Sequence, residues 1–203
     1  MGSVRKVVAS SSVVVLVVML LGFGVASAVA GQKVSSTSLA RYVVRTGEET
    51  GYSPSVPNFT SSATLWTKGN PGAAAFAKRL RGEGFRGGLI ESTFSLNGGQ
   101  GVSAVIALAS PAAAKSEEQA ELKEFIAQDR PVTRFTIKQL PTSEGYASTG
   151  SSTALAIVLF VEGSCVLLVS DEPTGTATNP RPPVIAGALK VYGRTARKAG
   201  VCA

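Results

Sequence analysis

The chain has 203 residues, a formal charge of +7 at neutral pH, two cysteines and no histidine. The absence of histidine excludes a Ser-His-Asp triad, a Cys-His nucleophile and a histidine-ligated metal, and two cysteines are too few for a four-cysteine zinc site. The length suits one domain with a short appendage. No nucleotide- or calcium-binding motif occurs, so we expect neither a cofactor nor a metal.

The first thirty residues are organised as a targeting segment. Arg5 and Lys6 precede a charge-free stretch with a central apolar run at 13–21, and small residues follow at 26–30. The pattern predicts either a cleaved signal peptide (1–30) or an uncleaved membrane anchor, a hydrophobic helix through residues 7–30. In both cases we expect a flexible linker (31–40) and a single extracytoplasmic domain (41–203), secreted or held outside the cytoplasmic membrane.

Without residues 1–30 the chain keeps 18 basic and 13 acidic residues, because the targeting segment contains two basic residues and no acidic one. A surplus this small is compatible with weak attraction to anionic surfaces, but it is not a nucleic-acid signature. We therefore expect an envelope ligand or protein of unknown identity as the partner, and no nucleic acid.

The body alternates between helix and strand patterns. After a short strand at 41–45 and a loop at 47–64, Asn70 and Pro71 are typical of a helix start. Two strands follow, joined by a glycine-rich turn at 97–101. Ser110 and Pro111 begin a second helix that runs to about Gln128.

The second half of the chain predicts three more strands and a final helix. The pattern gives a strand at 132–140, a loop at 141–152, and a hairpin of two apolar runs, 153–161 and 165–170. The hairpin should occupy the centre of the sheet because both of its faces are apolar. A last helix begins at Pro183. These elements predict an α+β fold: a mainly antiparallel sheet of about five strands packed with two to three helices, as a two-layer or three-layer sandwich.

The two cysteines predict one disulfide. Cys165 lies in an apolar strand and Cys202 one residue before the last residue of the sequence. In an oxidising compartment an even pair is most simply bonded. The bond would fasten the tail after the last helix to a central strand.

Three groups of side chains are candidates for a functional role. The basic cluster Lys78, Arg79, Arg81 and Arg86 could contact an anion or a partner, or could simply form the solvent-exposed face of an amphipathic helix. The aromatic residues Tyr52, Trp66 and Tyr146 could line a small pocket, or could pin loops to the core. The carboxylates Glu117, Glu121 and Glu124 line one face of the second helix, with Glu118 beside them, and we interpret them as a solvated surface rather than an acid-base or cation site.

These observations predict a non-catalytic extracytoplasmic domain that binds a ligand or partner at the cell envelope. The alternative is an extracytoplasmic hydrolase with an unfamiliar carboxylate or Ser-Lys site, although the helical Ser-x-x-Lys spacing occurs only at Ser3 and Lys6. A deep cleft in which Glu91, Glu144 or Asp171 meets a lysine or another carboxylate would favour the enzyme.

Overall fold

The computed structural model describes residues 34–45, 48, 52–54, 57–95, 99–128, 131–149, 154–173, 179–196 and 200–203. The targeting segment and the tip of the turn at 97–101 lie outside the described residues. Among the helices of the described ranges, none has the length and apolar character needed to cross a membrane. The two alternatives for residues 1–30, a cleaved signal peptide and an uncleaved anchor, stay predictions.

One antiparallel sheet forms the middle of the body. Its strands are β1 (Tyr52–Pro54), β2 (Asn58–Thr60), β3 (Gly87–Ser95), β4 (Gln100–Ala107), β5 (Val132–Phe135), β6 (Glu144–Thr149), β7 (Ala154–Glu162) and β8 (Cys165–Glu172). The order is β1-β3-β4-β8-β7-β6-β5, and β2 pairs with β3 beside β1. The hairpin β7–β8 is thus interior, as its apolar faces predicted.

Helices cover both faces of this sheet. They are α1 (Ser36–Leu39), a 3-10 helix (Ala40–Tyr42), α2 (Ala63–Trp66), α3 (Ala73–Gly82), α4 (Pro111–Gln128) and α5 (Arg181–Thr195). Alternate strand residues form two cores: one packs under α1, the 3-10 helix and α5, and the other under α2, α3 and α4. We call these faces the α5 face and the α4 face. The predicted α+β fold is confirmed, in its three-layer form and with eight strands rather than about five.

The extra strands lie where loops were predicted. β1 and β2 fall within 47–64 and β6 within 141–152, and their sequences lack a regular apolar alternation. Each is formed by pairing: β1 and β2 with β3, and β6 with both β5 and β7. Strand propensity depends strongly on such neighbours, which a local pattern does not show.

The predictions of a linker at 31–40 and a strand at 41–45 are wrong for the described part of these ranges. Ser35 and Ser38 form a capping box that starts α1, and Leu39 is fully buried. Val43 is extended, but the N–H of the next residue, Val44, donates to the Ser103 hydroxyl at 2.9 Å instead of pairing with a strand. Burying the apolar side chains around Tyr42 against the α5 face orders this segment, so the packed domain begins before residue 41.

The predicted disulfide is confirmed. Cys165, at the start of β8, is bonded to Cys202 with a Cα–Cα distance of 5.2 Å. The Ser164 N–H donates to the Cys202 carbonyl at 2.7 Å, so the tail crosses the β7–β8 turn. Gly163 in that turn has a φ of +52°, and a methyl group there would overlap the Cys202 carbonyl. The segment around Cys202 and the β7–β8 turn therefore pack closely against each other.

A candidate ligand cleft beside a buried carboxylate network

Arg79 reaches from α3 to three carboxylates of α4. Its Nε lies 2.8 Å from Glu117 Oε2, its Nη2 3.1 Å from Glu121 Oε1, and its Nη1 2.6 Å from Glu124 Oε1. The three glutamates are four and three residues apart, which places them on one side of the helix. The guanidinium also lies 4.6 Å from the centre of the Phe76 ring. Arg79 thus tethers α3 to α4.

Most of this network is buried. Glu117 is fully buried and Glu121 is 8% exposed, whereas the Glu124 side chain is 43% exposed. Glu118, whose carboxylate contacts Lys115, is fully buried as well. The prediction of a solvated carboxylate face is therefore wrong for three of its four members, because Arg79 and Lys115 supply the charge that makes burial tolerable.

Two carboxyl groups of this cluster, those of Glu121 and Glu83, have a raised pKa. Burial, followed by the nearby charge of Glu117, raises the pKa of Glu121 well above its ordinary value. Burial and a hydrogen bond with Glu117 also raise the pKa of Glu83. Burial opposes the charge on Arg79, but its bonds to Glu117 and Glu124 outweigh that effect and raise its pKa. The arrangement is a permanent cation surrounded by carboxyl groups that compete for too little positive charge.

A cleft opens beside this network on the α4 face. The apolar part of its wall comes from α2, α3 and strands β3, β4, β7 and β8. The polar part comes from Asn70, between α2 and α3, and from Glu121 of α4. The apolar wall residues are Trp66, Phe76, Ile90, Val102, Ala104, Ile106, Leu159, Val166 and Leu168. The space between the walls is about 530 Å³ including the open mouth, and about 30 Å³ of it is wide enough for the centre of a water molecule. The cleft is narrow, and nearly all of its wall residues are buried.

Asn70 has a different role from the predicted helix cap. Gly72, at a φ of +75°, occupies the N-cap position of α3, and the Asn70 backbone carbonyl accepts from the Ala73 N–H at 3.0 Å. The Asn70 residue is 8% exposed, and its side-chain Oδ1 has no hydrogen-bond partner. A buried acceptor without a partner costs about 1–3 kcal/mol, which a suitable donor would recover.

The structure places one of the three predicted pocket aromatics in the cleft. Trp66 lines it, and its ring lies so close to the Gly88 backbone that a methyl group there would overlap the ring. Tyr146 instead packs against Phe125, with ring centres 6.5 Å apart. Tyr52 pairs with Ser95 through its backbone, and its side chain lies outside the described part.

The predicted basic cluster does not form one surface. Arg79 is committed to the carboxylates of α4, whereas Lys78 and Arg81 are exposed on α3. Arg81 donates to the Thr64 hydroxyl at 3.0 Å, and Arg86 follows the helix as the residue that precedes β3. A contact of Lys78, Arg81 or Arg86 with an anion or partner stays a prediction.

The carboxylates that we named as indicators of an enzyme lie elsewhere. Glu144 forms an ion pair with Arg134 at 2.7 Å, and Glu91 and Asp171 are buried in β3 and β8. None of the three lines the cleft, where the carboxyl group belongs to Glu121. Sequence reasoning missed Glu121 and Asn70 as members of a common site.

Comparisons with known proteins identify a similar fold but no family for this chain. No protein-family model matches the sequence, and no curated protein is similar to it in sequence. The structure is similar to the crystal structure of the extracellular domain of PknH from Mycobacterium tuberculosis, with a TM-score of 0.55 and 12% sequence identity over 82% of this chain and 99% of that chain. At this identity the likeness shows a related fold.

Proposed function

We propose that this chain is a non-catalytic binding domain that acts outside the cytoplasmic membrane and holds an apolar part of a ligand or partner in the cleft under α2 and α3. The observation that carries the proposal is the cleft itself. It combines nine apolar wall residues with a buried, unpartnered Asn70 oxygen and a buried carboxyl group. Concave apolar walls with a few converging polar groups are typical of small-ligand sites.

Three observations support the location. The first thirty residues have the pattern of an export signal or anchor, and Cys165 is bonded to Cys202, as is common in oxidising compartments. The protein with the similar fold is itself an extracellular domain. N-terminal sequencing of the protein from membrane and secreted fractions separates the anchored from the cleaved form. Recovery of the folded domain in the cytosol would overturn the location.

The binding proposal has a built-in reporter, because Trp66 is the only tryptophan in the chain and lines the cleft. We expect 1-octanol, added to the exported protein, to change the Trp66 emission and to saturate. Ala104→Leu, which fills the cleft from β4, should abolish saturation, whereas Ala112→Leu on the exposed side of α4 should not. A signal that does not saturate in the unmodified protein, or that survives Ala104→Leu, contradicts the proposal.

The hydrolase alternative needs two functional groups that face one reacting atom. Glu121 is the only carboxylate in the wall of the cleft as the described residues form it, and its Oε1 accepts from Arg79 at 3.1 Å. Glu117 is fully buried and lies outside that wall. The geometry therefore favours binding over hydrolysis.

A further inference from the structure

Two polar residues line the cleft, Asn70 and Glu121, and the unpartnered atom among their side chains is an acceptor, Asn70 Oδ1. Asn70 presents an oxygen without a partner, and Glu121 presents a carboxyl group whose Oε1 already accepts from Arg79. The remaining wall residues are apolar side chains. A ligand that satisfies Asn70 Oδ1 must therefore bring a hydrogen-bond donor.

The charge around Glu121 is also unbalanced. One guanidinium, that of Arg79, is shared among Glu117, Glu121 and Glu124, and Glu83 is hydrogen-bonded to Glu117. Four carboxyl groups thus compete for one cation. Since like charges repel strongly in a buried setting, a negatively charged newcomer is disfavoured and a positively charged one is attracted.

We propose that the cleft takes an apolar ligand whose polar end is an aliphatic ammonium group, and that it discriminates against ligands that end in a carboxylate. The inference rests on the proposed function of the cleft and adds the chemical class of the ligand. An ammonium group has three donors and no acceptor, which suits a cleft whose wall holds both the unpartnered Asn70 oxygen and the Glu121 carboxyl group. A carboxylate has acceptors only and would add a negative charge beside carboxyl groups that already share one cation.

The protonation of Glu121 is consistent with this class. Burial and the neighbouring glutamates raise its pKa, so the empty network relieves its repulsion by holding a proton. An incoming ammonium group supplies the missing positive charge and allows the Glu121 proton to pass to solvent water. The bound pair then consists of opposite charges with a direct hydrogen bond, which is stronger than a bond between neutral groups.

The test compares three ligands that share one chain: octylamine, 1-octanol and octanoate. Each is titrated into the exported protein at pH 7.5 with Trp66 emission as the readout. We expect octylamine to bind at least about tenfold more tightly than octanoate, with octanol between them. Equal or tighter binding of octanoate would overturn the inference and leave the proposed function standing. Failure of all three ligands to bind would instead overturn the proposed function.

Two matched variants locate the effect. Glu121→Gln should reduce the preference for octylamine over octanoate by about tenfold, while octanol binding, which reports an intact cleft, stays within about twofold. Glu144→Gln removes the same charge outside the cleft and should leave the preference unchanged. If Glu121→Gln loses octanol as well, Asn70→Ala makes the same comparison. A preference that survives both cleft variants contradicts the inference.

Discussion

Replacing Arg79 by methionine tests whether the buried carboxylates depend on this one cation. The variant keeps an unbranched apolar stem but lacks the guanidinium group, and it leaves Glu117, which is fully buried, and Glu121, which is 8% exposed, without their counter-charge. Breaking a buried pair from one side costs about 3–5 kcal/mol. Because Arg79 is 25% exposed and Glu124 43% exposed, their contact adds little, and we expect a loss of about 3 kcal/mol at pH 7.5.

The pH dependence distinguishes lost charge from lost packing. Without Arg79, whose charge lowers the pKa of Glu121, the native-state pKa of Glu121 rises further above the unfolded one, so the native state binds more protons than the unfolded state. Stability then falls as pH rises through this window and recovers at low pH. Urea unfolding at pH 7.5 and 4.5 should show the deficit shrinking to less than about half at the lower pH.

Arg81→Met is the matched control, because Arg81 lies on the same helix but is exposed; it should change the stability by less than about 0.5 kcal/mol. A deficit for Arg79→Met below about 1 kcal/mol at pH 7.5, or one that is equal at both pH values, would refute the reasoning.

Three further predictions concern single positions. Cys202→Ser opens a loop with a sequence separation of 37 and should cost about 4 kcal/mol in urea unfolding; a cost near zero contradicts the tail-fastening role. Glu121→Gln should raise the melting temperature at pH 8 but not at pH 4.5, since the raised pKa of Glu121 makes wild-type stability fall as pH rises; an equal gain at both pH values contradicts this. Gly88→Ala should displace the Trp66 ring, cost about 1–3 kcal/mol and shift the tryptophan emission, and an unchanged spectrum would show that the ring does not lie on Gly88.

The sequence predicts the elements that carry their own periodicity. β3, β4, β7, β8 and α4 were expected close to their observed bounds because their apolar residues recur at strand or helix spacing. β6 was missed because it reads as a polar turn segment and becomes a strand by lying between β5 and β7. The disulfide was predictable because it follows from compartment and cysteine count, which need no knowledge of packing.

The burial of these carboxylates was not predicted, because glutamates on a solvent-exposed helix face and glutamates on a buried one have the same spacing in the sequence. What decides between them is Arg79, which is 38 residues from Glu117 in the sequence. One signal was present: Glu118 and Glu121 fall at helical spacing with Ala114 and Phe125, both of which belong to the core. Charged residues within an apolar helical stripe therefore predict that a residue of opposite charge, elsewhere in the chain, pairs with them.

The cleft and the network cannot act independently, because α3 carries one part of each. Phe76 lines the cleft, and Arg79, three residues later, binds α4 and rests on the Phe76 ring. Glu121 belongs to both sites, since it lines the cleft and accepts from Arg79. A ligand that changes the protonation of Glu121 also changes the attraction that holds Arg79, and with it the position of the Phe76 wall. Occupancy of the cleft should therefore be coupled to how firmly α3 is held against α4.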